Sequence, residues 1–212
     1  MKSIDFFAQR GTMTARDTSP WQTFSGKGMK FCLQSYDWDG CACLSHLATR
    51  AFGGLMTMET VVCTPYTKDL PLFSYDGISV PGRKTVFLEF YDTLVDAVDL
   101  SSLDAVKASY DDLKEKGRKA AWYDHLRLSP TTVKVGRGRR MSQLVSDMAT
   151  AYLDLFATAR EVDRETKNER NSAYVEGLIS NGGPAINVVR QMLGSAAAEE
   201  MFRRFLFGTT QD

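Results

Sequence analysis

The sequence predicts an α+β domain, in which the first half builds a mainly antiparallel sheet and helices from the second half cover it. Three observations carry this. Short runs of alternating, β-branched and aromatic residues crowd positions 27–91. Glycine-containing turn pairs separate them. After Ser101 the apolar period lengthens from two residues toward the helical value.

Taken in order, residues 1–26 are polar and turn-rich, with Phe6, Phe7, Trp21 and Phe24 too irregularly spaced for one helix or strand. They predict an arm that docks onto a single domain of residues 27–212. The runs MKFCLQSYDW, CACLSHLATR and LMTMETVVC, broken at Asp39-Gly40 and Gly53-Gly54, predict a meander of antiparallel strands. Two more strands follow, around 72–75 and 85–91, turning at Pro81-Gly82. Leu103, Val106, Tyr110 and Leu113 then form one helical stripe, ended by Gly117. A longer stripe runs through Met141, Leu144, Val145, Met148, Tyr152, Leu155 and Phe156, and Met192, Met201, Phe202, Phe205 and Leu206 populate a C-terminal helix pair. Between the first two stripes lie a turn at Ser129-Pro130 and the basic residues Lys134, Arg137, Arg139 and Arg140.

The chain has 212 residues, 43% of them hydrophobic, and its 26 Lys and Arg balance 26 Asp and Glu. A domain of this size buries roughly 70% of its unfolded surface, so it needs neither disulfides nor metal for a core. Charge balance argues against a nucleic-acid partner, and no apolar stretch approaches the ~20 residues that cross a bilayer. The first residues do not read as a signal peptide. These features predict a cytoplasmic protein whose Cys32, Cys41, Cys43 and Cys63 are reduced.

Few residues suggest chemistry. Cys41 and Cys43 lack a second ligand pair for metal and read as buried hydrophobes. His125 reads as an ordinary half-buried residue, and no phosphate-cradling glycine motif is present. Glu199 and Glu200 with Arg203 and Arg204 are simplest as pairs one helical turn apart. Asp76, after the apolar run LPLFSY, and Glu59, inside LMTMETVVC, stand where structural strands carry Val, Ile or Thr. His46 shares that strand region. A carboxyl facing a pocket between sheet and helices is raised by desolvation and becomes a proton donor near neutrality. For Asp76 the structural alternative is a strand-end residue before Gly77.

Two segments add a resemblance. DLPLFSYDGISVPGRKTVFLEF resembles the central strand-turn-strand of the ferredoxin-dependent bilin reductases, and VVRQMLGSAAAEEMFRRFLFG resembles their terminal helices. The related red chlorophyll catabolite reductases share the architecture. The resemblance spans roughly residues 27–208 and implies an α/β/α sandwich with a linear tetrapyrrole held between the sheet and the C-terminal helices. It implies reduction of a bilin such as biliverdin by single electrons from ferredoxin, with no bound flavin, metal or nicotinamide, in a monomer free of nucleic acid and membrane. Asp76 falls on the family's proton-donating Asp, with Glu59 and His46 as pocket partners. Phe73, Tyr75, Asn187 and Arg190 are the implied substrate contacts. Lys134, Arg137, Arg139 and Arg140, or Arg203 and Arg204, are the implied ferredoxin patch. The sequence departs from the family in several places. The position of the His that some members carry on the strand before the Asp matches Glu59 or Thr60, the family's Glu on the preceding strand aligns best with His46, the second family acid coincides with Gly183, and the closing Leu-Phe-Asp reads Leu206-Phe207-Gly208. A bilin-binding protein or chaperone of the same fold is the alternative expectation, and a third is an enzyme of this fold with an unrelated substrate.

Overall fold

The computed structural model of the chain describes residues 3–19, 21–117 and 119–210. At its centre stand nine strands: β1 (Met13–Ala15), β2 (Thr23–Gly26), β3 (Met29–Trp38), β4 (Ala42–Ala51), β5 (Met56–Pro65), β6 (Leu72–Val80), β7 (Arg83–Tyr91), β8 (Lys114–Glu115) and β9 (Thr132–Gly136). The order across the sheet is β1-β3-β4-β5-β6-β7-β9-β8, with β2 also paired to β3. Every pairing is antiparallel. The meander from β3 to β7 follows the alternating runs in the sequence. Its turns use the expected chemistry, with Asp39 and Gly40 both in the left-handed region, which matches the twist of the flanking strands.

Helices lie on both faces. On the first, α1 (Asp5–Ala8), α2 (Ser101–Ala108) and α3 (Gly138–Thr158) enclose a core with Trp38, Leu44, Val61, Phe73, Leu88 and Phe90. The three- and four-residue spacing of Met141, Leu144, Val145, Met148, Tyr152 and Phe156 turns one stripe of α3 onto this face. On the second, α4 (Arg164–Asn181), α5 (Pro184–Leu193) and α6 (Ser195–Glu200), continued by a π-helical stretch Met201–Leu206, pack on Phe31, Leu33, Leu47, Val62, Leu72 and Tyr91. The result is a three-layer α/β/α arrangement. Burial from both sides explains why β4 is buried along nearly its whole length rather than at alternate residues.

Several elements depart from the sequence expectation. The stripe from Leu103 is helical only to Ala108, and Lys114–Glu115 before Gly117 form strand β8. Residues 13–15 and 23–26, expected in a docked arm, are strands of the sheet. The basic string after Pro130 begins as strand β9, and Lys134 is buried there, its Nζ on Glu115 (2.8 Å) and the Leu113 carbonyl (3.2 Å). Helix α4 has no clear apolar stripe because its inner face carries Lys167 and Asn171 beside Tyr174, Val175 and Leu178. Lys167 Nζ donates to the carbonyls of Leu70 (2.7 Å) and Thr93 (2.5 Å), and Asn171 Nδ2 to that of Pro65 (2.7 Å). Polar anchors thus replace part of the apolar contact.

Candidate functional site

The site follows from strand parity, because successive side chains alternate between faces. Thr60 on β5, Asp76 on β6 and Phe87 on β7 are register partners and share a row with Leu47. Leu47 belongs to the second core, so this row faces α4 to α6. Asp76 therefore lies beneath the C-terminal helices. It is half-buried and accepts a hydrogen bond from the Thr60 hydroxyl. Burial pushes its carboxyl up to about 6, while the Thr60 hydroxyl holds it down and the charge of Glu89 pushes it further up. That is the range in which a carboxyl donates a proton near neutrality.

One row along the same face, Glu89 on β7 stands opposite Ser74 and diagonal to Asp76. Glu89 is buried, bonded by the Arg127 guanidinium and by Tyr91 Oη (2.7 Å). Tyr91 packs against Tyr174 of α4 at 4.5 Å between ring centroids, and Tyr123 stands edge-on to it at 5.7 Å. Burial raises the Tyr91 and Tyr174 hydroxyls well above their usual values. Trp122 extends this aromatic wall and donates to the Gly182 carbonyl (3.1 Å). The arrangement is one protonatable carboxyl, one charge-compensated carboxylate and a bank of aromatic rings.

The structure separates residues that the sequence placed together. His46 lies in the row with Val61, Tyr75 and Leu88, and Glu59 in the row with Ala48, Gly77 and Val86, both on the first face. They pair with each other, His46 Nε2 to Glu59 Oε1 at 3.2 Å, across the sheet from Asp76. Burial alone would raise the Glu59 carboxyl, but His46 and the amide and hydroxyl of Ser3 hold it below its usual value. Glu59 is thus not a proton donor near neutrality, and the pair ties the N-terminal segment to the sheet. Phe73 and Tyr75 also face the first core, Phe73 packed on Phe90 and Tyr152. Gly77 is required there, because a Cβ would collide with the Tyr75 hydroxyl.

Arg190 braces helices, donating to the Ile179 carbonyl (2.7 Å) and pairing with Glu199 (3.1 Å). Asn187 is exposed beside Gly182. His125 is exposed rather than half-buried, with Nδ1 on the Trp122 carbonyl (2.8 Å). Arg140 is stacked on Tyr110 and paired with Asp112, and Arg137 and Arg139 are exposed with no ion pair to a described carboxylate. Gly183 caps the start of α5 with extended backbone. Gly208 has a left-handed φ of 65° and lies so close to Cys43 that any side chain would collide. Among the described residues, no group of three His, Cys, Asp or Glu is placed to hold a metal, and no helix is long and apolar enough to cross a membrane.

The sequence reading missed Thr60, Glu89, Arg127, Tyr123 and Tyr174. Glu89 carries the same signal as Glu59, an acid inside the apolar strand TVFLEFY.

The three-layer arrangement, with an acid on the sheet face beneath the C-terminal helices, defines a class of fold. No family model matches the chain, and no curated protein matches it. Among solved structures it is similar to phytochromobilin synthase from tomato, crystallised in complex with biliverdin, with a TM-score of 0.75 and 15% sequence identity. The match covers 98% of this chain and 80% of that one. At that identity the likeness is one of fold.

Proposed function

We propose that the chain binds an open-chain tetrapyrrole, biliverdin or a close relative, on the second face of the sheet and reduces it with electrons from ferredoxin. One observation carries this reading. A half-buried carboxyl raised to about 6 lies under the C-terminal helices, in a fold shared with a protein crystallised with biliverdin. Reducing one double bond takes two electrons and two protons. Two reduced ferredoxins supply one electron each and are oxidised. Asp76 supplies one proton and regains it through its open side, and solvent supplies the other. Thr60 orients the carboxyl, and the half-buried rings of Tyr123 and Trp122, at the edge of the buried Tyr91–Tyr174 pair, supply stacking area.

Mixing the protein with biliverdin at micromolar concentration is expected to shift the visible absorption band, and reduced ferredoxin then to bleach or shift it further. Asp76→Asn is expected to keep the first change and lose the second. No spectral change on mixing sinks the proposal. A second reading, a tetrapyrrole carrier, is favoured by Glu89, the acid diagonal to Asp76, being committed to Arg127 and Tyr91. Binding without turnover, with Asp76→Asn behaving as wild type, selects it.

A further inference from the structure

The charge balance of the chain conceals a segregation at one end of the sheet. Four connections meet there: β2–β3, β4–β5, β6–β7 and β9–α3. The register fixes this, since Ser25 pairs with Lys30, Lys30 with Arg50, Arg50 with Thr57, Thr57 with Ser79, Ser79 with Lys84 and Lys84 with Gly136. Residues 23–32, 47–58, 77–88 and 132–143 contain no Asp or Glu. Lys30, Arg50, Arg83, Arg137 and Arg139 are exposed there, with Lys84 half-buried beside them. None of the six has an ion pair to a described carboxylate. Of the carboxylates in adjoining segments, Glu59 is held by His46, Glu115 by Lys134 and Asp112 by Arg140.

The same end displays the three large exposed hydrophobic side chains of the described residues, Phe52 at 72%, Leu55 at 65% and Val80 at 40%. Phe52 also has a left-handed φ of 52°, a conformation that costs a bulky side chain energy and is kept where presentation of the residue matters. Beside these tips, between β2, β3 and β4, opens a cleft of about 460 Å3 flanked by Ser25, Lys30, Cys32, Ala48 and Arg50.

We infer that this end of the sheet is the docking surface for an acidic protein. Apolar anchors beside a rim of one charge sign are the anatomy of a protein interface, with the rim steering the partner. A concave cleft between two cations receives a protruding acidic side chain, whereas a flat lipid surface leaves it unfilled. The inference rests on the proposed function in one respect, the partner being the electron donor. The cleft opens on the first face, and the route to a ligand on the second runs along β6, where Asp76 lies four residues from Val80 at the exposed end, roughly 13 Å. Of the docking residues implied by the family resemblance, Lys134 is buried in its pair with Glu115, and Arg140, though exposed, is held by Asp112. The surface shifts toward Arg50, Arg83 and Lys84.

The test titrates the full chain, without bilin, with an oxidised [2Fe–2S] ferredoxin of strongly negative charge, by calorimetry at low and high salt. Binding at low salt that weakens with salt is expected. The pair Arg83→Glu and Lys84→Glu, and separately Arg137→Glu and Arg139→Glu, are each expected to weaken it about tenfold or more. Phe52→Ser with Leu55→Ser is expected to do the same, and Arg10→Gln, at a distant ion pair, to leave it unchanged. Circular dichroism verifies the fold of each variant. Absence of ferredoxin binding, or binding indifferent to these substitutions, overturns the inference. So does binding through these residues to phosphatidylcholine–phosphatidylserine vesicles in place of ferredoxin. The bilin absorption shift, read separately, keeps the two ideas apart: a shift without docking overturns this surface alone, and docking without a shift overturns the proposed function alone.

Discussion

Asp76 is the residue on which the functional reading turns, and its environment has a consequence for stability as well as chemistry. Burial raises its carboxyl to about 6, above the ordinary 3.8. A carboxyl that holds its proton more tightly when folded stabilises the native state at low pH and loses that contribution as pH rises from about 4 to about 6. Above that window the ionised form is carried as a cost. Asp76→Asn is therefore expected to be more stable than wild type by about 1–3 kcal/mol at pH 8 and nearly equal to it at pH 4. Urea denaturation at the two pH values measures this, and parallel pH profiles for the two proteins would remove the desolvated acid from the site. Asp76 was legible in the sequence, through an acid after LPLFSY. Thr60 was not, because a threonine in a β-strand is ordinary and only the register with Asp76 gives it a role.

At the scale of elements, legibility tracked apolar periodicity. Strands β3 to β7 and helix α3 carry it and were foreseen, whereas α4 does not, since it docks through polar groups. Lys167 is fully buried, and burial lowers its amine to about 8 although Asp69 and Asp92 push the other way. It joins the β5–β6 connection at Leu70 to the segment after β7 at Thr93, so one side chain fixes two loops against the helix that carries Tyr174. Lys167→Met keeps the volume but strands two buried carbonyls, and is expected to destabilise the protein by about 2–4 kcal/mol. Chemical denaturation at pH 7 checks it, and a loss below about 0.5 kcal/mol would show that water replaces the amine. Asp163 caps the start of α4, its carboxylate accepting from the Thr166 backbone amide at 2.8 Å.

For the whole molecule, the sheet acts as a partition. Residues two apart on a strand share a face and neighbours do not, so one step of parity decides whether two residues of adjacent strands meet. His46, Glu59 and Asp76 lie on three consecutive strands and look like one constellation in sequence. Parity puts the first two under the N-terminal segment and the third under the C-terminal helices. The expected behaviour divides accordingly. His46→Ala and Glu59→Gln act at a distance through a packed layer, so bilin affinity is expected to stay within about twofold of wild type. Glu59→Gln removes one of the two carboxylate oxygens that accept from Ser3, and His46→Ala removes the side chain that holds that carboxylate in place, so limited proteolysis is expected to cut the first dozen or so residues faster. Asp76→Asn is expected to show the converse, an unaltered N-terminal cleavage rate and a lost reductive step. A collapse of bilin binding in Glu59→Gln with the cleavage rate unchanged would mean that the ligand lies on the α3 side of the sheet, and the site would have to be rebuilt around the His46–Glu59 pair.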